Sequence, residues 1–347
     1  MEEKSSKIHK NKHKVSSFVI LGNTILMIVV IMFSFLYFNS KFKDTQKNGY
    51  EVYEKHYAFI AGNREQDFWN EVYAGALKKG KEQSVYVERF GNKLFSDYSK
   101  DELMRMAIDA AVDGIILEGD GEAKTRELVN EAVNKGIPVI TVLKDSNNSI
   151  RQCFVGINSY NLGQEYGKQV LKLQNPDIKR IYVLVDENSA DSSQNIILLG
   201  IRETIEKTLG KNHGMEIKAV VVNNEDDFSP EETIRDIIMD SENVPDVMIC
   251  LNSTYTSCAY QAVVDHNKVG KINIIGYYDS ENILSAIEKG IIYSSISVDT
   301  EQMGSLCVEA LEEYSLTGHV SEYLPVDTKL ITSANVSEYY NSNTESE

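Results

Sequence analysis

The sequence predicts an α/β fold in which two doubly wound lobes of parallel sheet are joined by a hinge. From Tyr57 onward, short runs of β-branched residues alternate with segments of helical periodicity. These strand runs are apolar throughout, as is typical of parallel strands that helices cover on both faces. They are also too numerous for one open sheet of ordinary size, so the sequence favours two lobes.

The predicted strands follow one another in two similar sets. The first set consists of YAFIAGN, SVYVERF, DGIILEG, IPVITVL and CFVGIN. The second consists of KRIYVLVDE, EIKAVVV, DVMICLN, INIIGYY and IIYSSISV, and DTKLITS ends the fold. Helices fill the intervals, and two of them begin with recognisable signals. Ser99 and Glu102 form a capping box, and Pro230 stands at the first position of a later helix.

A transmembrane helix is predicted at 15–40, ahead of the first lobe. No charged residue or His lies between Lys14 and Lys41, and this stretch is long enough to cross a bilayer. A cleaved signal peptide is the competing interpretation. The apolar run is long for a signal peptide, however, and no A-x-A-like cleavage site follows it.

The predicted membrane helix determines how we interpret the segments before and after it. Residues 1–14 are rich in lysine, which predicts a cytoplasmic basic tail and places the remainder of the chain outside the cell. Residues 41–55 are polar and are expected to form a tether. Residues 334–347 are expected to form a flexible tail. The expected location is therefore the cell membrane, with a single span and an extracellular binding domain.

Composition excludes several classes of function. The formal net charge is -17, so the chain lacks the cationic surface that nucleic-acid binding requires. The cysteines form no C-x-x-C pair and have no histidine cluster nearby, which argues against a zinc site. Each cysteine falls within a predicted strand or helix, and we expect small buried apolar side chains rather than disulfides. No motif for a cofactor is found, and the G-x-G of Gly119 and Gly121 lacks its third small residue.

Polar and aromatic side chains are concentrated where the predicted strands end. Ligands of doubly wound sheets bind beyond these carboxyl ends, and paired hydrogen-bonding groups beside aromatic rings suit a polyol. The candidate ligand-binding residues at these positions are Arg64, Glu65, Phe68, Trp69, Glu118, Lys144, Asn158, Asn252, Tyr278 and Asp279.

Each of these candidates also has a structural interpretation. Phe68 and Trp69 could form the buried face of the first helix, although adjacent residues do not point the same way. Asn252 could fix a turn, and Asp279 could cap the next helix. Lys144 could be a solvated surface residue. Carboxylates such as Asp186 are more often loop charges than ligands.

Between about Tyr57 and Ser333 the chain resembles the type I periplasmic binding proteins, close to the ribose- and galactose-binding group of ABC transporters. The similar stretches are AGNREQDFWNEVYAGALKKGKE, DGIILEGDGEAKTRELVNEAVNKGIPVITV, FVGINSYNLGQEYGKQVL, DVMICLNSTYTSCAYQAV and NIIGYYDSENILSAIEKGIIYSSISVDTEQMG. The resemblance implies two flavodoxin-like lobes joined by three crossovers. Lobe 1 would comprise 54–157 and 299–333, and lobe 2 would comprise 158–298.

The resemblance also implies site residues. Phe68, Trp69 and Asn252 match binding positions of the sugar binders. The family's Asp-Arg pair after the fourth strand is replaced by Leu143 and Lys144, and Asn195 lies near the place of an arginine. Val298 replaces a glutamine, and the family aspartate matches either Tyr278 or Asp279. The pocket is therefore expected to differ from that of a ribose or galactose binder.

Three functions remain open at this point. The leading hypothesis is a binding protein, without enzymatic activity, that delivers a sugar-like solute to an ABC permease. The second is a ligand sensor that engages a membrane histidine kinase, which the predicted membrane anchor makes attractive. The third is an enzyme acting on sugars, and no catalytic motif supports it. The gene-repressor variant of this fold would need a DNA-binding segment where the predicted membrane helix lies.

Overall fold

The computed structural model describes residues 27, 30–34, 52–62, 66–92, 98–186, 192–223 and 228–340. Glu54–Glu347 forms one compact unit, separate from Met1–Tyr53. Residues 27 and 30–34 are helical and exposed. No helix of the described residues is long and apolar enough to cross a membrane. The predicted span at 15–40 falls mostly outside these residues and stays a prediction, as do the basic tail and most of the tether.

The first lobe is built on a six-stranded sheet in the order β11-β5-β4-β3-β1-β2. All neighbouring strands in it are parallel. Its strands are β1 (Lys55–Ile60), β2 (Val85–Arg89), β3 (Gly114–Glu118), β4 (Val139–Val142), β5 (Cys153–Gly156) and β11 (Tyr323–Pro325). The helices that accompany it are α1 (Gln66–Glu82), α2 (Lys100–Asp109), α3 (Ala123–Asn134) and α9 (Thr300–Thr317).

The second lobe repeats this plan with the strand order β12-β10-β9-β8-β6-β7. Its strands are β6 (Arg180–Asp186), β7 (Glu216–Val222), β8 (Val247–Cys250), β9 (Asn273–Tyr277), β10 (Ser294–Val298) and β12 (Thr328–Thr332). Its helices are α4 (Ser159–Lys172), α5 (Ser192–Leu209), α6 (Ser229–Met239), α7 (Ser253–Asp265) and α8 (Glu281–Glu288). Two α/β lobes with parallel-sheet cores are thus present, as the sequence predicts.

The last strand departs from the expected division of the chain. β12 pairs antiparallel with β10, from Ser294↔Thr332 to Val298↔Thr328, so it completes the second sheet. The expectation that 299–333 belongs wholly to lobe 1 is therefore wrong for its last strand. The sequence DTKLITS gives no sign of which sheet it joins, because both sheets offer an edge. Within the described residues, the chain crosses between lobes at 157–158, 299 and 326–327.

Two helix pairs pack at glycines, which allows their backbones to approach closely. In α1 and α9, a Cβ at Gly304 would lie 1.9 Å from the Val72 carbonyl oxygen, and one at Gly75 would lie 2.4 Å from the Glu301 oxygen. In α4 and α5, Gly163 faces the Ile197 oxygen in the same way. Only glycine fits such contacts, because the clashing atoms belong to a backbone that cannot move aside.

We predict that Gly304→Ala destabilises the protein by about 1–3 kcal/mol, because the added methyl group must push α9 away from α1. Chemical denaturation of the variant measures the change. Ser315→Ala, on the exposed face of the same helix, is the matched control and should leave stability unchanged within about 0.5 kcal/mol. Equal stability of the two variants would show that the close helix contact is not present.

Candidate functional site

A cavity of about 100 Å³ lies where the carboxyl ends of strands from both sheets face each other. Lobe 1 contributes Leu143 and Lys144, and the crossover contributes Ile157. Lobe 2 contributes most of the remaining wall. The polar lining residues of that lobe include Asp186, Ser193, Gln194, Asn252 and Tyr255, and the apolar ones include Leu162, Leu184, Ile197, Leu251 and Tyr277. The cavity therefore combines apolar walls with a few polar groups, as small-molecule sites do.

A tight turn after β4 positions Lys144. Leu143 has φ 64, in a region that favours glycine, and the Lys144 N–H donates to the Val142 oxygen over 2.7 Å. A three-residue turn of this kind is strained for a leucine. The Lys144 carbonyl accepts from the Gly119 N–H at 3.1 Å, and a Cβ at Gly119 would lie only 2.3 Å from that oxygen. The local backbone is thus fixed by β3, and strain is retained next to the cavity.

Asp186, at the end of β6, is the polar centre of the cavity. Its Oδ2 lies 3.2 Å from Lys144 Nζ, which forms an ion pair between the lobes. Its Oδ1 accepts a hydrogen bond from the Tyr255 hydroxyl at 2.6 Å, and its backbone N–H donates to Gln194 Oε1 at 3.0 Å. The Asp186 carboxylate therefore connects lobe 1 with α7, and the backbone N–H of the same residue contacts α5.

Asparagines at the entry of two helices are N-caps. Asn252 Oδ1 accepts from the Tyr255 N–H at 2.7 Å, and Asn158 Oδ1 accepts from the Asn161 N–H at 3.0 Å. Both caps satisfy a backbone donor that the first helical turn leaves unpaired. Asn252 also lines the cavity, so its structural and ligand-binding interpretations are compatible, whereas Asn158 lies on a groove outside it.

The predicted aromatic pair is buried and does not line the cavity. Phe68 and Trp69 are each 1% exposed. Their rings lie 5.2 Å apart edge to face, and the Trp69 ring lies 6.1 Å from that of Phe59 in β1. The expectation that one of them faces a ligand is therefore not met by the side-chain positions described. The Phe68 ring instead packs edge to face on the Tyr278 ring of lobe 2, with 5.5 Å between the ring centroids.

Tyr278 and Asp279 follow β9 directly and lie beside that contact. Tyr278 is 1% exposed, and burial together with the Glu71 carboxylate raises the pKa of its hydroxyl well above the usual value. Asp279 is half-buried, and burial raises the pKa of its carboxyl to about 6, with a further contribution from Glu71. The Asp279 carboxyl also accepts a hydrogen bond from the Ser297 side chain, and this hydrogen bond acts to lower its pKa.

The remaining candidates lie away from the cavity. Glu118 Oε2 accepts from the Gly62 N–H at 2.7 Å and so fixes the chain leaving β1. Asn195 is exposed on α5. Arg64 and Glu65 lie outside the described residues. The structure thus brings Lys144 and Asn252 together at the cavity, places Phe68, Trp69 and Tyr278 in one buried aromatic group, and separates Glu118, Asn158 and Asn195 from it.

Sequence reasoning missed several lining residues. The sequence leads us to expect a loop charge at Asp186, but Asp186 is the last residue of the apolar strand β6, and that position is the signal that identifies it. Gln194 and Tyr255 lie in the first turns of helices that start at the same edge of the sheet. The first helical turn after a strand lies at the same edge of the sheet as the end of that strand. The positions of Gln194 and Tyr255 therefore also indicate that they lie near the ligand edge.

Cysteine and metal chemistry do not add to this site. The four cysteines are free thiols, and all but the half-buried Cys258 are buried, as the sequence predicts. Burial raises the pKa of Cys153 and of Cys258 to about 11, which keeps both protonated and weakly nucleophilic. Among the described residues, no group of three or more His, Cys, Asp or Glu side chains could hold a metal ion.

Solved structures with the same fold include proteins that are described as sugar binders. The crystal structure of GanP, a glucose-galactose binding protein from Geobacillus stearothermophilus, has a TM-score of 0.71 and 22% identity, covering 82% of this chain and 99% of that one. A solute-binding protein from Agrobacterium vitis bound with alpha-D-tagatopyranose has a TM-score of 0.72 and 14% identity, covering 84% and 98%. These identities establish the fold alone.

A third structure, described as the XylFII molecule, has 25% identity and a TM-score of 0.67, covering 80% of this chain and 98% of that one. No curated protein sequence matches the chain. The model of the periplasmic binding protein domain matches residues 57–318, which is most of the chain and includes both lobes. The lobes, the crossovers and the cavity at the strand ends agree with this match. The chain therefore belongs to the periplasmic binding protein family.

Proposed function

We propose that the chain is an extracytoplasmic solute-binding protein that binds a sugar between its lobes and delivers it to an ABC permease. The observation that supports this most directly is the cavity between the lobes, with Lys144 from one side and Asp186 from the other. A ligand that contacts both lobes binds the closed form better than the open form and therefore drives closure.

The chemistry of the cavity favours an uncharged ligand with several hydroxyl groups. Lys144 and Asp186 neutralise each other, so neither an anion nor a cation gains a net Coulombic advantage. The ammonium donates, the carboxylate accepts, and the Gln194 amide and Tyr255 hydroxyl can do either. This set of hydrogen-bonding groups supports binding of such a ligand between the lobes. The sugars named for the similar structures have this chemistry.

Ligand sensing is the second candidate. It is favoured by one observation: XylFII, at 25% identity, is also found in a structure described as the XylFII-LytSN complex. A protein of this fold can thus form a complex with another protein. A membrane anchor at 15–40 would suit either role, since it keeps the binding domain beside its partner at the cell surface. Transport is the function that we favour, because the chain belongs to the periplasmic binding proteins and the similar structures include the sugar-binding protein of an ABC transporter.

We predict that the fragment 49–347 is a soluble monomer that a monosaccharide or polyol stabilises against heat. Ligand at about a hundred times its dissociation constant should stabilise the native state by about 2.7 kcal/mol. Thermal unfolding against hexoses, pentoses, pentitols and inositols measures this shift. Charged compounds such as amino acids and sugar phosphates are the controls, and a shift with these but not with neutral sugars would contradict the proposal.

We further predict that Lys144→Met and Asp186→Asn each weaken binding of that sugar by about 10–100-fold, because each removes a hydrogen bond to a charged group. Titration calorimetry measures the dissociation constants. Lys135→Met removes one partner of an exposed ion pair on α3, Lys135 Nζ–Glu131 Oε1 at 2.8 Å, and serves as the matched control with unchanged affinity. Unchanged affinity in both cavity variants would exclude this cavity as the sugar site.

A further inference from the structure

One edge of lobe 2 holds most of the exposed apolar side chains of the two lobes. Within the described part of 54–340, more than half of the large apolar side chains that are exposed lie between 192 and 239, on α5, β7 and α6. Exposed apolar side chains that are concentrated on one surface mark sites of protein–protein interaction. The members of this group are Ile196, Leu199, Leu209, Val221, Phe228 and Met239.

The strand β7 forms this edge, and among the described residues it pairs only with β6. The Glu216 N–H donates to the residue just before β6 at 2.6 Å, so Glu216 and every second residue after it direct their backbone groups toward β6. Ile217, Ala219 and Val221 therefore direct theirs away from the sheet. Within the described residues, the one hydrogen bond to these outward groups runs from Arg202 Nη2 to the Ile217 oxygen at 3.2 Å.

β7 lacks the features that usually protect an edge strand from pairing. Its sequence, EIKAVVV, contains no proline, and its register with β6 is continuous over seven residues, so it has no bulge. Its one basic side chain, Lys218, lies over the Tyr182 ring of β6 at 5.6 Å from the centroid. The row of outward N–H and C=O groups is therefore a template for one more strand.

α5 extends the apolar surface on one face of this edge. Because Arg202 reaches Ile217, that side of α5 lies beside the strand. Leu199 and Leu209 stand three and seven residues from Arg202 and share its side of the helix, and they are 49% and 47% exposed. Val221 of the strand is 53% exposed. The edge thus combines backbone hydrogen-bonding groups with apolar side chains, which is what the addition of a strand requires.

We propose that this edge is a self-association surface, on which β7 of a second copy of the chain adds antiparallel to β7 with the two-fold axis at Ala219. In this register the outward residues of the two copies form the hydrogen-bonded pairs. Ala219 pairs with its own counterpart, and Ile217 pairs with Val221 of the other copy. The strand is its own complement, because the two-fold axis places apolar side chains opposite each other on the face that α5 covers.

The remaining pairs in this register bring no like charges together. Glu216 lies opposite Val222 of the second copy, and Lys218 lies opposite Val220. One acidic and one basic residue in each strand leave the edge with no net charge, although the whole chain carries a formal net charge of -17. Like charges directly opposite each other would destabilise the pair. The edge is thus a place where two strongly acidic chains can approach.

The pair forms where copies are concentrated. One strand and one side of a helix make a small interface, so fragments in dilute solution stay monomeric. The predicted span at 15–40 would hold copies on the same membrane and raise their effective concentration. None of Ile217, Ala219 and Val221 lines the cavity between the lobes, so each copy keeps its own cavity.

Oxidative crosslinking of single cysteines tests both the surface and the register, in the full-length chain within the membranes of the cells that express it. Copper phenanthroline oxidises two adjacent thiols to a disulfide, and a non-reducing gel measures the dimer. Ala219→Cys places both thiols at the two-fold axis, with Cα atoms about 5.5 Å apart, a distance that a disulfide spans. Lys218→Cys is the matched control on the same exposed strand, because its two copies lie diagonally, about 7–8 Å apart.

The expected result is at least three times more dimer from Ala219→Cys than from Lys218→Cys. The unaltered chain gives the background from its four native thiols. Adding Val221→Lys to Ala219→Cys should lower the dimer by about fivefold or more, because a charge on an edge strand opposes pairing. Val264→Lys, at a position on α7 that is 40% exposed, is the control for the added charge and should leave the dimer unchanged.

Three results would overturn the proposal. Dimer from Ala219→Cys no greater than background would show that the edges do not meet. Equal dimer from Ala219→Cys and Lys218→Cys, or no effect of Val221→Lys, would show random collision rather than the proposed register. Crosslinking of Cys at 219 to a different protein instead of a second copy would assign the edge to another partner. No sugar enters the experiment, so its outcome is independent of the proposed function.

Discussion

The rest of the structure depends on one constraint: the carboxyl ends of the strands of both sheets face each other across the gap between the lobes, which contains the cavity. Within each sheet the core strands run parallel, so every connecting loop at the carboxyl edge points the same way. The crossovers then bring these two edges face to face. Within each lobe, helices pack closely at a glycine, Gly304 in lobe 1 and Gly163 in lobe 2, where an added methyl group would clash with backbone.

The residues at the gap between the lobes form two groups, one polar and one apolar. Lys144, Asp186 and Tyr255 form a polar group that exchanges hydrogen bonds readily, which suits the recognition of hydroxyl groups. Phe68, Trp69 and Tyr278 form an apolar group that excludes water. Both groups span the lobes, so an ion pair and a contact between aromatic rings join the two sides. Strain is retained at Leu143 and Tyr278, one on each side of the gap.

The fold could be predicted from the sequence because it depends on local patterns, whereas much of the site could not. Apolar strands and the capping box at Ser99 specify their elements directly, and the capping box is present in the structure. The direction of a side chain at a strand end depends on the turn that follows it. Nothing in the sequence around Leu143 or Tyr278 signals the positive φ that each residue adopts against neighbouring strands. Sheet membership of β12 was mispredicted for the same reason, since its pairing is set by distant residues.

The central claim is that a sugar binds between the lobes and contacts both of them. A crystal structure of the fragment 49–347, grown with the monosaccharide that stabilises it most, tests this claim most directly. The account predicts density for the sugar within hydrogen-bonding distance of Lys144 from lobe 1 and of Asp186 from lobe 2. A sugar bound to one lobe only, or outside the gap, would contradict it.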